Sequence, residues 1–106
     1  MDPIIVYCTV PNDTVAENIA NVVLTQRVAA CVNIIPQIRS IYLWKGKIED
    51  ERELLLIIKS KRELFEELAR CIKELHPYEV PEVIALPIIE GNTDYLNWID
   101  SNTRNK

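Results

Sequence analysis

The residues able to do chemistry are few: one histidine, three cysteines and several scattered carboxylates. Thiolate and imidazole are ligands for copper and zinc, so Cys31, Cys71 and His76 are the first set to weigh. Positions 71 and 76 stand about 140° apart around a regular helix axis, so Cys71 and His76 cannot chelate one ion together. Cys71 lies beside Ile72, and Cys8 shares a strand face with Ile4 and Val6. Free cysteine behaves mostly as a small buried hydrophobe, so core packing is the expectation for both. Cys31 shares a strand face with Asn33 and is the thiol placed to meet a polar cavity. The predicted metal ligands are therefore Cys31, His76 and Glu82, completed by groups from a neighbouring copy of the chain.

His76 opens the stretch HPYEVPE (76–82). One reading is punctuation: a histidine at a helix C-terminus interacts well with the last carbonyls and the dipole. The other is a site wall, because Pro77 and Pro81 stiffen a loop that presents Tyr78, Glu79 and Glu82. Both readings hold together. Tyr42, Trp44 and Trp98 are large rings suited to contacts, and Lys59 ends an apolar strand. Tyr42, Trp44, Glu53, Lys59, Tyr78, Glu79 and Trp98 are the predicted ligand-binding residues. The hairpin of one copy would bring its aromatics and Glu51 or Glu53 near Lys59 or His76 of the next, forming a cleft for a small anion or metal complex. The acidic run EDERE (49–53) alternates between two strand faces, so it cannot encircle one ion and is expected to be solvated.

Other chemistries are excluded by composition. Two glycines cannot build a P-loop or a dinucleotide fingerprint, and a single histidine rules out H-E-x-x-H. The net charge of −4 without a Lys/Arg block argues against nucleic acid. No apolar run approaches membrane-spanning length, and no basic leader precedes the first strand, so neither membrane nor export is expected. Three unclustered cysteines fit reduced thiols and a cytoplasmic location.

These groups must be held by local elements. PIIVYCTV (3–10) alternates as a strand. Thr14 and Glu17 have capping-box spacing, and a helix is predicted over 14–26. Residues 29–60 read as one long hairpin turning at Lys45-Gly46, with a bulge near Pro36 on an edge arm. LLLII (54–58) is apolar on both faces, as in a central covered strand. Ser60 and Glu63 form a second capping box ahead of a helix whose buried stripe is Leu64, Phe65, Leu68, Ala69, Ile72 and Leu75. His76-Pro77 ends it. EVIALPII (82–89) is the last strand, 93–100 a short helix, and the polar tail is expected to fray. The order βαββαβ plus a helix predicts an α+β, ferredoxin-like sandwich spanning 1–106 as a single domain.

A length mismatch adds a prediction. The first helix spans about 20 Å, whereas each hairpin arm spans about 45 Å. The tip must project, yet it carries Ile38, Ile41, Tyr42, Leu43, Trp44 and Ile48. Burying each is worth about 1.5–3 kcal/mol, so an obligate homo-oligomer built by sheet extension and hairpin exchange is expected.

Five blocks, RVAACVNIIP, SIYLWKGKI, LLIIKS, HPYEVPEVIALPI and YLNWI, resemble the motifs of the CutA1 family of divalent-cation tolerance proteins, in order from about residue 4 to 100. The resemblance implies a tight homotrimer similar to the PII signalling trimers. It also implies a role in tolerance of copper or another divalent metal ion, weakly bound, with no established catalysis. Ser60 stands where threonine is common in the family. The expectation is therefore a non-enzymatic, trimeric metal-responsive or ligand-sensing protein. An enzyme using Cys31 as nucleophile and His76 as base is the alternative from another class, and a rigid trimeric scaffold is the third.

Overall fold

Burial along β1 (Pro3–Val10) alternates without a break: Ile4, Val6, Cys8 and Val10 are buried, and the residues between them are half-exposed. A strand with one apolar face must set that face against another layer. In the computed structural model, which describes Met1–Lys106 throughout, that layer is α1 (Asp13–Thr25) and α2 (Phe65–Leu75). Ala16, Ile19 and Val23 from α1 and Leu68 and Ile72 from α2 pack on the strand residues.

β2 (Cys31–Trp44) and β3 (Lys47–Lys61) form the long hairpin, followed by a 3-10 turn at Arg62–Leu64, then α2, β4 (Ile84–Pro87) and α3 (Thr93–Ser101). The sheet order is β2-β3-β1-β4 and every pairing is antiparallel. This is the ferredoxin-like sandwich expected from the element order. β2 is an edge strand, as its proline requires. The register with β3 slips between Ile35 and Ile38, and Gln37 takes a φ of 59° there. Before the bulge Cys31, Asn33 and Ile35 pair with Lys59, Ile57 and Leu55; after it Ile38, Ser40 and Tyr42 pair with Glu53, Glu51 and Glu49. One extra residue has switched which β2 side chains share a face with the odd-numbered residues of β3. Lys45 and Gly46 both have positive φ, 50° and 79°, matching the twist of the hairpin they close.

Several local expectations are corrected. The cap of α1 is Asn12, whose Oδ1 accepts from the Val15 N–H at 3.0 Å, so Thr14 and Glu17 form no box. Ser60 caps nothing. β3 continues through it, and its buried hydroxyl donates to the Val28 carbonyl at 2.7 Å, satisfying a polar group inside the sandwich. β4 is four residues long rather than eight. Leu75 lies largely outside the stripe of α2 and is exposed. The tail does not fray up to residue 104. Thr103 is buried and donates to the Ile99 carbonyl, the Arg104 N–H donates to the Arg27 carbonyl at 2.8 Å, and the Arg104 guanidinium pairs with Glu67. LLLII is central but covered on one side only: Leu54, Leu56 and Ile58 are buried, whereas Leu55 and Ile57 remain half-exposed. On that open side, Ile35, Ile84 and Leu86 are exposed as well.

Candidate functional site

Where β1 ends at Val10, β3 runs on into the hairpin paired with β2 only, and the loop after α2 fills the vacated flank. His76 fastens it. Its backbone N–H closes α2 on the Ile72 carbonyl at 2.9 Å. Its side chain reaches across to β1, with Nε2 2.7 Å from the Thr9 carbonyl and Nδ1 3.2 Å from the Tyr78 N–H. An N–H donates to Nδ1, so Nε2 must carry the proton that goes to Thr9. Both ring nitrogens are thereby committed, and His76 is only 7% exposed. The expected part played by the side chain at the end of α2 is replaced by this bridge to β1.

Tyr78, fixed by that bridge, donates its phenol to Glu53 Oε2 at 2.7 Å. Burial, and then the Glu53 carboxylate, push the Tyr78 phenol well above its ordinary range. Glu53 is 4% exposed, which overturns the expectation that all of EDERE is solvated. The bulge and the incoming loop enclose it. Between loop and hairpin lies a cleft of about 750 Å³. Tyr42, Trp44 and Tyr78 supply its rings, and Glu49, Glu51, Glu53, Glu79 and Glu82 supply its carboxylates. Partial desolvation, followed by hydrogen bonding to the Glu51 carboxylate, raises the Tyr42 phenol. Arg39, the one basic lining residue, is already held in a two-pronged pair by Asp50 at 2.8 and 2.6 Å. Of the predicted ligand-binding residues, Tyr42, Trp44, Glu53, Tyr78 and Glu79 therefore meet in one place.

Lys59, Cys31 and Trp98 lie elsewhere. Lys59 is six residues from Glu53 along β3, or about 20 Å. Its ammonium contacts the Asn33 side-chain oxygen and stands 4.0 Å from Cys31 Sγ. Tyr95 faces the same thiol; burial first and Cys31 second raise its phenol. Tyr95 stacks on Trp98 with centroids 5.6 Å apart, so α3 brings an aromatic pair to this end of the sheet. The buried Lys61 anchors α3 through Asp100 Oδ1 at 3.0 Å. Asn33 and Tyr95 were not singled out as site residues. The shared face of Cys31 and Asn33 was the available signal for one, and the i, i+3 spacing of Tyr95 and Trp98 for the other.

The predicted metal ligands do not converge within one chain. Cys31 lies beside Lys59, Glu82 lines the cleft, His76 has no free nitrogen, and no group of three His, Cys, Asp or Glu side chains is arranged to hold an ion. The same geometry separates the nucleophile–base pair of the enzymatic alternative. Cys31 pairs with Lys59, whereas His76 binds Thr9 opposite Leu55, roughly 13 Å further along the sheet. Cys8 is buried in the core, and its thiol is pushed up to about 12 by burial, then by Glu82 and Glu53. Burial and then Glu74 raise the half-exposed Cys71 thiol. A smaller depression of about 420 Å³ lies along α2 among Glu66, Arg70, Lys73 and Glu74; surface charges line it and no predicted site residue reaches it.

Residues 4–102 match the family model for the CutA1 divalent ion tolerance protein. This chain belongs to the CutA1 family. The Thermus thermophilus divalent-cation tolerance protein CutA is 48% identical over 99 residues, covering 93% of this chain and 96% of that protein. The crystal structure of CutA1 from Oryza sativa superposes with a TM-score of 0.97 at 45% identity, covering 100% of this chain and 97% of the other. Mus musculus Protein CutA is 53% identical over 93 residues, covering 88% of this chain but only 52% of the mouse protein, so the chain spans about half the length of that relative. The CutA1 sandwich and a family-level role in divalent-cation tolerance follow from these matches. No helix of this CutA1 chain is long and apolar enough to cross a membrane.

Proposed function

We propose that this chain acts in divalent-cation tolerance as a homotrimer, similar to the PII trimers, whose neighbouring copies complete a ligand site. One observation carries the reading: the hairpin tip and the open sheet side are apolar and uncovered. Ile41 is 59% exposed and Leu43 and Ile48 are each 73% exposed, on the ribbon face opposite Glu49, Glu51 and Glu53. Burying each such side chain stabilises by about 1.5–3 kcal/mol, and an unshielded ribbon of this kind invites pairing with another chain. In the assembly, the cleft of one copy is set near the Lys59–Cys31 end of the next. Copper or another divalent ion binds there weakly, with Cys31, His76 and Glu82 as the candidate ligands from different copies; a small anion would use Lys59. Binding by His76 requires it to release Thr9 or Tyr78. Each copy is a single folded unit over 1–106. Three free thiols support a cytoplasmic setting.

Light scattering combined with copper titration of the wild type, Cys31→Ser and His76→Ala tests this. The expected result is three copies per particle and weakened copper binding in both variants. A single copy at micromolar concentration overturns the assembly. Unchanged affinity in both variants overturns the ligand set, and flat titrations on an intact trimer leave the rigid scaffold as the function.

A further inference from the structure

The C-terminal helix is tied down at one end only. The Lys61 ammonium, 1% exposed, donates to Asp100 Oδ1 at 3.0 Å, and Glu63 stands 4.0 Å away. A buried ammonium stripped of its partner is strongly destabilising, so α3 is bound to keep Asp100 in place. The residues that follow add further ties. The Arg27 guanidinium donates to the Ser101 carbonyl at 2.9 Å, and the Arg104 N–H donates to the Arg27 carbonyl at 2.8 Å. Over residues 92–98, by contrast, every backbone hydrogen bond stays within the helix and its Asn92 cap. Ile99 is the one fully buried apolar side chain of α3, and it too lies at the tied end.

The free end carries Tyr95, and the spacing of the two elements decides where that ring lands. Lys61 and Lys59 share a strand face and stand about 7 Å apart along β3. Cys31 is directly opposite Lys59 on the neighbouring strand, with its Sγ 4.0 Å from the ammonium. Five residues of α3 separate Asp100 from Tyr95, a rise of about 7.5 Å. The two spacings match. With Asp100 fixed on Lys61, Tyr95 arrives one face position further along the sheet, where its phenol meets the Cys31 thiol. Tyr95 is 42% exposed and stacks on Trp98 rather than sinking into the core. The outer side of this cover is already in water, so moving it exposes little further apolar surface.

We propose that Lys61 is a positioning residue for the Cys31 end of the sheet: its pair with Asp100 latches α3 as a lid that sets Tyr95 over the thiol. Release of the latch swings the free end of α3 and uncovers the sulfur. The helix turns about its tied end, which Arg27 holds through the Ser101 and Arg104 backbone. The inference rests on the reading of Cys31 as a ligand that neighbouring copies complete, and supplies the device that controls access to it.

Alkylation of the full chain by iodoacetamide, with each cysteine followed by peptide mass spectrometry, tests the latch without any metal. Asp100→Ala is expected to speed modification of Cys31 by about tenfold or more, while the half-exposed Cys71 changes by less than about twofold. Cys8 stays unmodified over the same interval, the mark of an intact core. Asp100→Glu keeps the charge and is expected to remain within about threefold of the wild type. Tyr95→Ala leaves the latch in place and removes the cover itself, so it speeds Cys31 by about tenfold as well. Cys31 reacting at the wild-type rate in Asp100→Ala overturns the latch, as does acceleration of all three thiols together, which marks general unfolding. A wild-type rate in Tyr95→Ala overturns Tyr95 as the cover. Copper titration of the same variants separates the two readings. An uncovered Cys31 with wild-type copper affinity overturns its part as a ligand alone, and a slow Cys31 with altered copper affinity overturns the latch alone.

Discussion

The two ends of β3 treat charge in opposite ways. At the hairpin end, acids accumulate against aromatic rings, and one of them, Glu53, is nearly closed off from water with a phenol as its partner. At the other end, Lys59 sits beside a thiol and an amide oxygen, with a stacked Tyr95–Trp98 pair nearby. The hairpin end is held by long-range bonds of a committed histidine; at the other end the groups face one another across neighbouring strands. The former is therefore a built cleft within one chain. The latter has the character of half a site, open on the uncovered side of the sheet. One strand thus separates acid from base by its own length.

The largest effect concerns Cys8, which lies in the core near the acidic end. Burial pushes its thiol up to about 12 in the folded chain, against an ordinary value of 9.0. Because the folded value is raised, its contribution is fully present below about pH 9 and drains away as pH climbs toward 12. That rise corresponds to a loss on the order of 4 kcal/mol once the thiol ionises in both states. Denaturant titrations between pH 8 and 11 are expected to show wild-type stability falling, with a shallower slope in Cys8→Ala. Equal slopes would remove the thiol as the cause.

Next comes a paired substitution across the two ends. His76→Ala strands the Thr9 carbonyl and the Tyr78 N–H and is expected to cost about 2–4 kcal/mol, by the desolvation of unpaired buried groups. Lys59→Met breaks a half-exposed contact and is expected to cost under about 1 kcal/mol. Thermal melting of the two variants checks the ranking; a larger cost at Lys59 would reverse the contrast between a built and an open end. Smallest is Arg39→Ala. Its pair with Asp50 is geometrically good, and the guanidinium holds that carboxyl below its usual range, but both groups are largely exposed. A small drop in melting temperature, shrinking further at high salt, is expected from salt-dependent melts.

The order of elements, the turn at Lys45-Gly46, the bulge near Pro36 and the end of α2 before Pro77 could all be read from the residues. Each depends on neighbours within a few positions: alternation, helical period, a ring without an N–H, a backbone tolerant of positive φ. Capping misled twice for a related reason. Thr14 and Ser60 have the right spacing for a box, but Asn12 lies two residues ahead of the one, and the other is enclosed in a strand where its hydroxyl finds Val28.

The candidate site divides along the same line. The residue types in HPYEVPE announced a loop and those at the hairpin tip an apolar ribbon that the first helix cannot cover, and both came from the chain alone. That His76 would use both nitrogens, one of them on Thr9 67 positions away, depended on the strand register and on α2 ending beside β1. The burial of Glu53 depended on a one-residue slip in β2 and on Tyr78, 25 positions distant, arriving over it. Hydrogen bonding and desolvation act between groups that meet in space, and a linear pattern carries no distance between segments this far apart. Local order was therefore settled by the sequence itself, and the partnering of its few chemical groups by the packed sheet.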